Sequence, residues 1–201
     1  MKKITAFIIC AVLCLSLVAC GYNGNTEFNL SNGEAEVEPN ETINEHNEET
    51  NQNIMEWLEY KVLVAGLNDE IYTLSVMLNN MGNYQIKFWE AIISLGGGVN
   101  FTSLIESAYD WLERNGDYTQ EQMESDFNYI ANQYKEFVII NVTDLIALDA
   151  RNYLIDLYNS FLSLYALVTS PAGSISNFTN NFDEYVRNII NLNNSLSVLV
   201  S

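Results

Sequence analysis

From Trp57 onward the chain follows a helical period. Trp57, Tyr60, Val64, Leu67, Ile71, Leu74, Leu78 and Met81 succeed one another at alternating spacings of three and four, which puts them on one stripe of an α-helix. Gly82-Asn83, both tolerant of left-handed backbone, predict the end of that helix. A second stripe starts with Ile86, Trp89 and Ile93 and continues with Phe101, Leu104, Ala108 and Trp111. Gly96-Gly97-Gly98 interrupts it; three glycines cost a helix interior about 3 kcal/mol relative to alanine, so a break or kink is expected there. A phosphate-cradling loop is the functional alternative. It lacks the Gly-Lys-Ser/Thr ending, a preceding strand and any nearby cation except Lys87.

Asn115-Gly116-Asp117 closes this element, and Thr119-Gln120-Glu121-Gln122 has the capping-box form that opens the next. From there to Thr169 no proline or glycine intervenes, and an unbroken helix of that length would span about 75 Å. Its stripe runs through Phe127, Ile130, Tyr134 and Phe137, loses phase between Asn141 and Asp149, and resumes with Leu154, Tyr158, Phe161, Tyr165 and Val168. A bend near Asn141-Val142-Thr143, with Thr143 capping the second half, lets both halves pack on one core. Ser170-Pro171-Ala172-Gly173 is a turn, and Phe178, Phe182, Tyr185, Ile189, Leu192, Leu196 and Leu199 carry a last helix. The pattern predicts an all-α, up-and-down bundle over residues 54–201, with four antiparallel helices, or five if the third bends. The same heptad-like spacing suits a coiled coil, so a homo-oligomeric helical assembly is the alternative architecture.

Composition narrows the picture. A chain of 201 residues with 48% hydrophobic content fills one core and leaves no room for a second full domain. Charge is lopsided, with 26 Asp and Glu against 8 Lys and Arg. Beyond the N-terminal Lys2 and Lys3, the bases Lys61, Lys87, Arg114, Lys135, Arg151 and Arg187 are scattered singly, which excludes a nucleic-acid partner. Residues 21–53 hold eight Glu, no Lys or Arg, and many Asn, Thr and Gly, with Tyr22 and Phe28 the sole aromatics. Such a stretch cannot bury enough apolar surface to offset its ordering entropy, and it reads as a disordered acidic tether reaching about 30 Å. An acidic docking tail for a basic partner is the other reading of it.

The N-terminus has the form of an export signal. Lys2 and Lys3 precede an uncharged, mostly apolar run of 16 residues, Ile4 to Ala19, shorter than the roughly 20 a bilayer span needs. Its end, Leu17-Val18-Ala19-Cys20, resembles the lipobox of bacterial lipoproteins. The resemblance implies a signal peptide over residues 1–19, cleavage before Cys20, and acylation of that cysteine by diacylglycerol, with palmitate among the chains. It also implies a lipid anchor at the extracytoplasmic face of the cell membrane. An uncleaved signal anchor is the alternative. All three cysteines, Cys10, Cys14 and Cys20, lie in this segment, so neither a disulfide nor a thiolate metal site is expected in the helical domain.

The residues for catalysis are sparse. His46, the only histidine, lies in the acidic stretch and reads as a solvated linker residue; Ser-His catalysis lacks its base and a di-iron bundle its Glu-x-x-His pairs. Calcium loops are absent from the sequence, and no cofactor is expected. Asp144, Asp149, Arg151 and Asp156 interrupt the most apolar stretch, either as the outer face of a helix or as a buried polar cluster. Tyr129, Tyr134, Tyr153, Tyr158 and Tyr165 read as the edge of the core, with a binding surface as the alternative. These features favour a non-enzymatic helical domain that binds a protein or peptide, one version being a shield against cationic peptides. Two alternatives remain. One is membrane remodelling or pore formation through Phe137–Ile146 and Phe161–Val168, both too short to span, with Asp144 inside the first and Asp156 just ahead of the second, where a carboxylate is costly in lipid. The other is a hydrolase using a carboxylate pair.

Overall fold

The computed structural model describes residues 55–116 and 118–201. The signal segment, Cys20, the acidic stretch and His46 lie outside the described residues. Five helices follow in order: α1 (Trp57–Ser94), α2 (Phe101–Gly116), α3 (Gln120–Val138), α4 (Leu145–Thr169) and α5 (Ile175–Leu199). Among the described residues there is no β-strand, and the fold is an all-α bundle.

α1 is the spine. Its 38 residues span about 57 Å, and it packs against every other helix. One stripe does not suffice for so many neighbours. The buried face therefore widens to take in Asn68, Ser75, Gly82 and Gln85 beside Tyr60, Val64, Leu67, Ile71, Leu74, Leu78, Met81 and Trp89.

The helix does not end at Gly82-Asn83, as the glycine predicts, but runs unbroken to Ser94. Gly82 is there for packing. A Cβ at this position would collide with the ring of Phe182, so α5 approaches α1 where only glycine fits. The actual stop is the triple glycine. Gly96 takes φ of 75°, its N–H donates to Ile93 O at 2.9 Å, and the N–H of Gly97 donates to Ile92 O at 3.0 Å. This pair of bonds is a Schellman cap.

From that cap the chain turns back along α1. Phe101 meets Trp89 with centroids 5.1 Å apart, Trp111 meets Tyr84 at 5.3 Å, and Phe137 meets Tyr60 at 5.2 Å. α2 and α3 thus descend α1 one after the other, as one interrupted rod. The joint between them does not reverse the chain, although a short connection between helices predicts antiparallel neighbours. The Thr119 capping box restarts the helix without a reversal: Oγ1 accepts from Gln122 N at 3.2 Å, and Gln122 Oε1 accepts from Thr119 N at 2.7 Å.

The bend expected near residues 141–143 is a full reversal between α3 and α4. Its cap is Asp144, one residue beyond the predicted Thr143; the carboxylate accepts from Ile146 N at 2.8 Å and Ala147 N at 3.1 Å. α4 climbs back until the Val168 carbonyl accepts from Gln85 Nε2 at 2.9 Å. Gly173, with φ of 81°, and the Ser174 cap then turn the chain into α5. α5 descends from Phe178 beside Trp89 to the Ser201 carbonyl, which accepts from Lys61 Nζ at 2.6 Å. Five helices therefore make four rods, up, down, up and down.

Candidate functional site

The polar residues marked in the sequence between Asp144 and Asp156 divide between a joint of the bundle and its outer face. Asp144 caps α4, while Asp149 and Asp156 are exposed, which makes them an outer face and not a buried cluster. Arg151 is the exception: half-buried, it donates through Nη2 to Val138 O and through Nη1 to Ile140 O at 3.4 Å. Those carbonyls belong to the last residue of α3 and to the second residue beyond it, where a helix leaves acceptors unpaired and its dipole favours a cation.

The tyrosines divide along the seam between α3 and α4. Tyr134 stacks on Tyr158 with centroids 3.7 Å apart, and Phe127 stacks on Tyr165 at 3.9 Å. Burial pushes the hydroxyls of Tyr158 and Tyr165 up to about 12, with Tyr134 adding at the first and Glu124 at the second. Both are core-edge residues. Tyr129 and Tyr153 instead face solvent, at 51% and 40% exposure.

In the triple glycine the amides of Gly96 and Gly97 are already bonded to α1 carbonyls, which takes both from any anion cradle. Among the described residues no cluster of His, Cys, Asp and Glu could hold a metal ion, and no helix is long and apolar enough to cross a membrane.

What the helices do build is a groove of about 230 Å³ between the first turns of α1 and the second half of α3. Val62, Leu63, Gly66 and Leu67 form one wall, Phe137 and Ile140 the other, with Glu70, Glu136, Tyr129 and Gln133 around them. Burial raises the Glu70 carboxyl above the usual carboxylate range and nearby Asp126 adds to it, while the hydrogen-bonded Tyr129 hydroxyl acts the other way. Two depressions elsewhere have a different character. One, between Glu90 and Thr179, has a single carboxylate at its edge; the other, around Asn83, mixes polar groups with Phe182, Val186 and Ile190 and holds both Asp183 and Arg187.

Of the groove residues, Leu67 and Phe137 stand out in the sequence as members of core stripes and Tyr129 as a core-edge tyrosine with a binding surface as its alternative. The missed signal is the apolar pair Val62-Leu63 off the α1 stripe, followed by a glycine in mid-helix. Compared with protein-family models, with curated proteins and with solved structures, the chain matches none.

Proposed function

We propose that this chain is an extracytoplasmic lipoprotein, held at the cell membrane through Cys20, whose helical domain binds a protein or peptide partner without catalysing a reaction. The observation that carries the binding reading is the apolar surface left open at the start of α1. Leu58 and Val62 are 74% and 69% exposed, and Ile139, next to the groove residue Ile140, is 80% exposed. Single exposed apolar residues are ordinary, but here they adjoin a mostly apolar groove, and such surfaces mark interaction sites. The sequence supports the non-enzymatic half, since residues 54–201 contain neither histidine nor cysteine.

The anchoring half rests on Leu17-Val18-Ala19-Cys20. Acyl chains at about 0.8 kcal/mol per buried methylene hold a protein stably once two are attached. The acidic stretch that follows lifts the domain off the lipid. Palmitate labelling of cells tests the anchor: label enters the wild-type chain and is lost from Cys20→Ala, whereas label retained by the variant overturns the assignment. Crosslinking the chain on intact cells tests the binding reading, with a discrete protein or peptide adduct on the helical domain as the expected result. Absence of any adduct, or turnover of a substrate panel by the purified chain, overturns it.

A further inference from the structure

Gly66 lies in the middle of α1, where glycine costs about 1 kcal/mol relative to alanine. Nothing in the fold requires it. Its φ is not positive, and a Cβ added there meets no atom within 4 Å. The consequence of its missing side chain is the depth of the α1–α3 groove, which it lines.

That groove pairs an apolar floor with a negative rim. The buried Leu67 and Phe137 supply the floor and the exposed Val62 and Leu63 its apolar edge; Glu70 and Glu136 supply the negative rim, and none of the domain's bases lines it. Asp126 already disfavours charge on Glu70, so a cation placed there relieves a repulsion present in the free domain. At about 230 Å³ the space is below the 300–1,000 Å³ or so of a small-molecule pocket and fits a few side chains. Charge sign selects among occupants. A second copy of this chain carries a net charge of −18, and the acidic stretch 21–53 holds eight Glu and no base. Both are repelled by the rim.

We propose that the α1–α3 groove is the docking site for a free cationic amphipathic peptide, bound as a helix. Its apolar side chains at i, i+3 or i+4, and i+7 enter the floor between Gly66 and Phe137, and Lys or Arg beside them meets Glu70 and Glu136. Tyr129, half-exposed at the rim, supplies the aromatic contact that interface centres favour. The net charge of the chain draws such a peptide in from a distance, and salt weakens that attraction. This assignment rests on the interaction reading above and gives its partner a chemistry.

The test titrates the purified full chain against a fluorescent peptide of about 15 residues, the length at which an isolated helix becomes marginal. Leu occupies the i, i+3, i+4, i+7 face and Lys the rest; a second peptide carries Glu in place of Lys. The Leu/Lys peptide is expected to bind and the Leu/Glu peptide not to. Gly66→Trp fills the groove and is expected to weaken binding at least tenfold while circular dichroism and the thermal midpoint hold or rise. Glu70→Gln with Glu136→Gln is expected to weaken binding and flatten its salt dependence. Equal binding of both peptides, or binding that survives Gly66→Trp, overturns the site. So does sedimentation of the free chain as a dimer that Gly66→Trp dissociates, since the occupant is then a second copy. Crosslinks on cells that join a whole protein to some other face of the bundle overturn the groove and leave the interaction reading standing; no crosslinks at all remove both.

Discussion

Gly66 and Gly82 occupy the same helix and opposite situations. At Gly66 an added methyl enters open space, so Gly66→Ala gains only the helix propensity, and the domain is expected to be about 1 kcal/mol more stable in urea unfolding. At Gly82 the same methyl must displace the buried ring of Phe182, and overpacking of that kind costs about 1–3 kcal/mol, more than the propensity returns. Gly82→Ala is therefore expected to destabilise, and Phe182→Leu in its background to recover part of the loss. Titration supplies a second residue-scale expectation. Tyr158 and Tyr165 keep their protons in the fold up to about 12, while in the unfolded chain they release them near 10. The stability they contribute is complete below pH 10 or so and is lost as pH rises toward 12. An alkaline titration should show tyrosinate absorbance lagging that of the unfolded chain and then rising together with loss of helix. A tyrosinate curve that runs to completion while the helix signal stays constant would show these hydroxyls to be free.

The joint between α3 and α4 is where single residues become an element. Arg151 reaches back from the second turn of α4 to two carbonyls at the end of α3, and Asp144 holds the first amides of α4. Hydrogen bonds to charged groups are worth about 1.5–3 kcal/mol, so Arg151→Met is expected to cost about 2 kcal/mol in thermal unfolding. Arg151→Lys should restore only part of that, because one ammonium nitrogen does not reproduce the two separate guanidinium nitrogens that reach Val138 O and Ile140 O. Asp144→Ala is expected to cost about 1 kcal/mol and Thr143→Ala less than 0.5; the reverse order would move the cap to Thr143. This joint also marks how far the sequence can be read. The phase loss after Phe137 announces the break, but Thr143 and Asp144 are both good caps, and a one-residue shift of the helix start decides between them. The missed continuity of α1 has a similar cause. Met81, Gln85 and Trp89 keep a spacing of four across Gly82, so the period favours continuation while glycine chemistry favours a stop. Only the approach of Phe182, a hundred residues away in the chain, explains why the glycine is there. The groove was illegible for the same reason. It is made from residues off the core stripe of α1 facing the end of α3, and the pattern along either helix alone does not bring them together.

At the scale of the molecule, charge acts on stability and on recognition with opposite signs. Of the few bases in the domain, Lys61, Arg114 and Arg151 contact backbone carbonyls, and the excess of carboxylates stands largely unbalanced. Self-repulsion of this kind weakens the compact state, and salt relieves it as the Debye length shrinks from about 30 Å at 0.01 M to about 10 Å at 0.1 M. The thermal midpoint is thus expected to rise with sodium chloride, by about 2–4 °C if the relief amounts to about 1 kcal/mol. A protein stabilised by surface ion pairs responds in the other direction, and a midpoint that falls with salt would mean that the bases are paired in solution. The same screening should weaken capture of a cationic helix in the α1–α3 groove. Measured over one salt series, a rising midpoint and a falling affinity are the joint signature of an acidic bundle whose repulsion is relieved by its ligand.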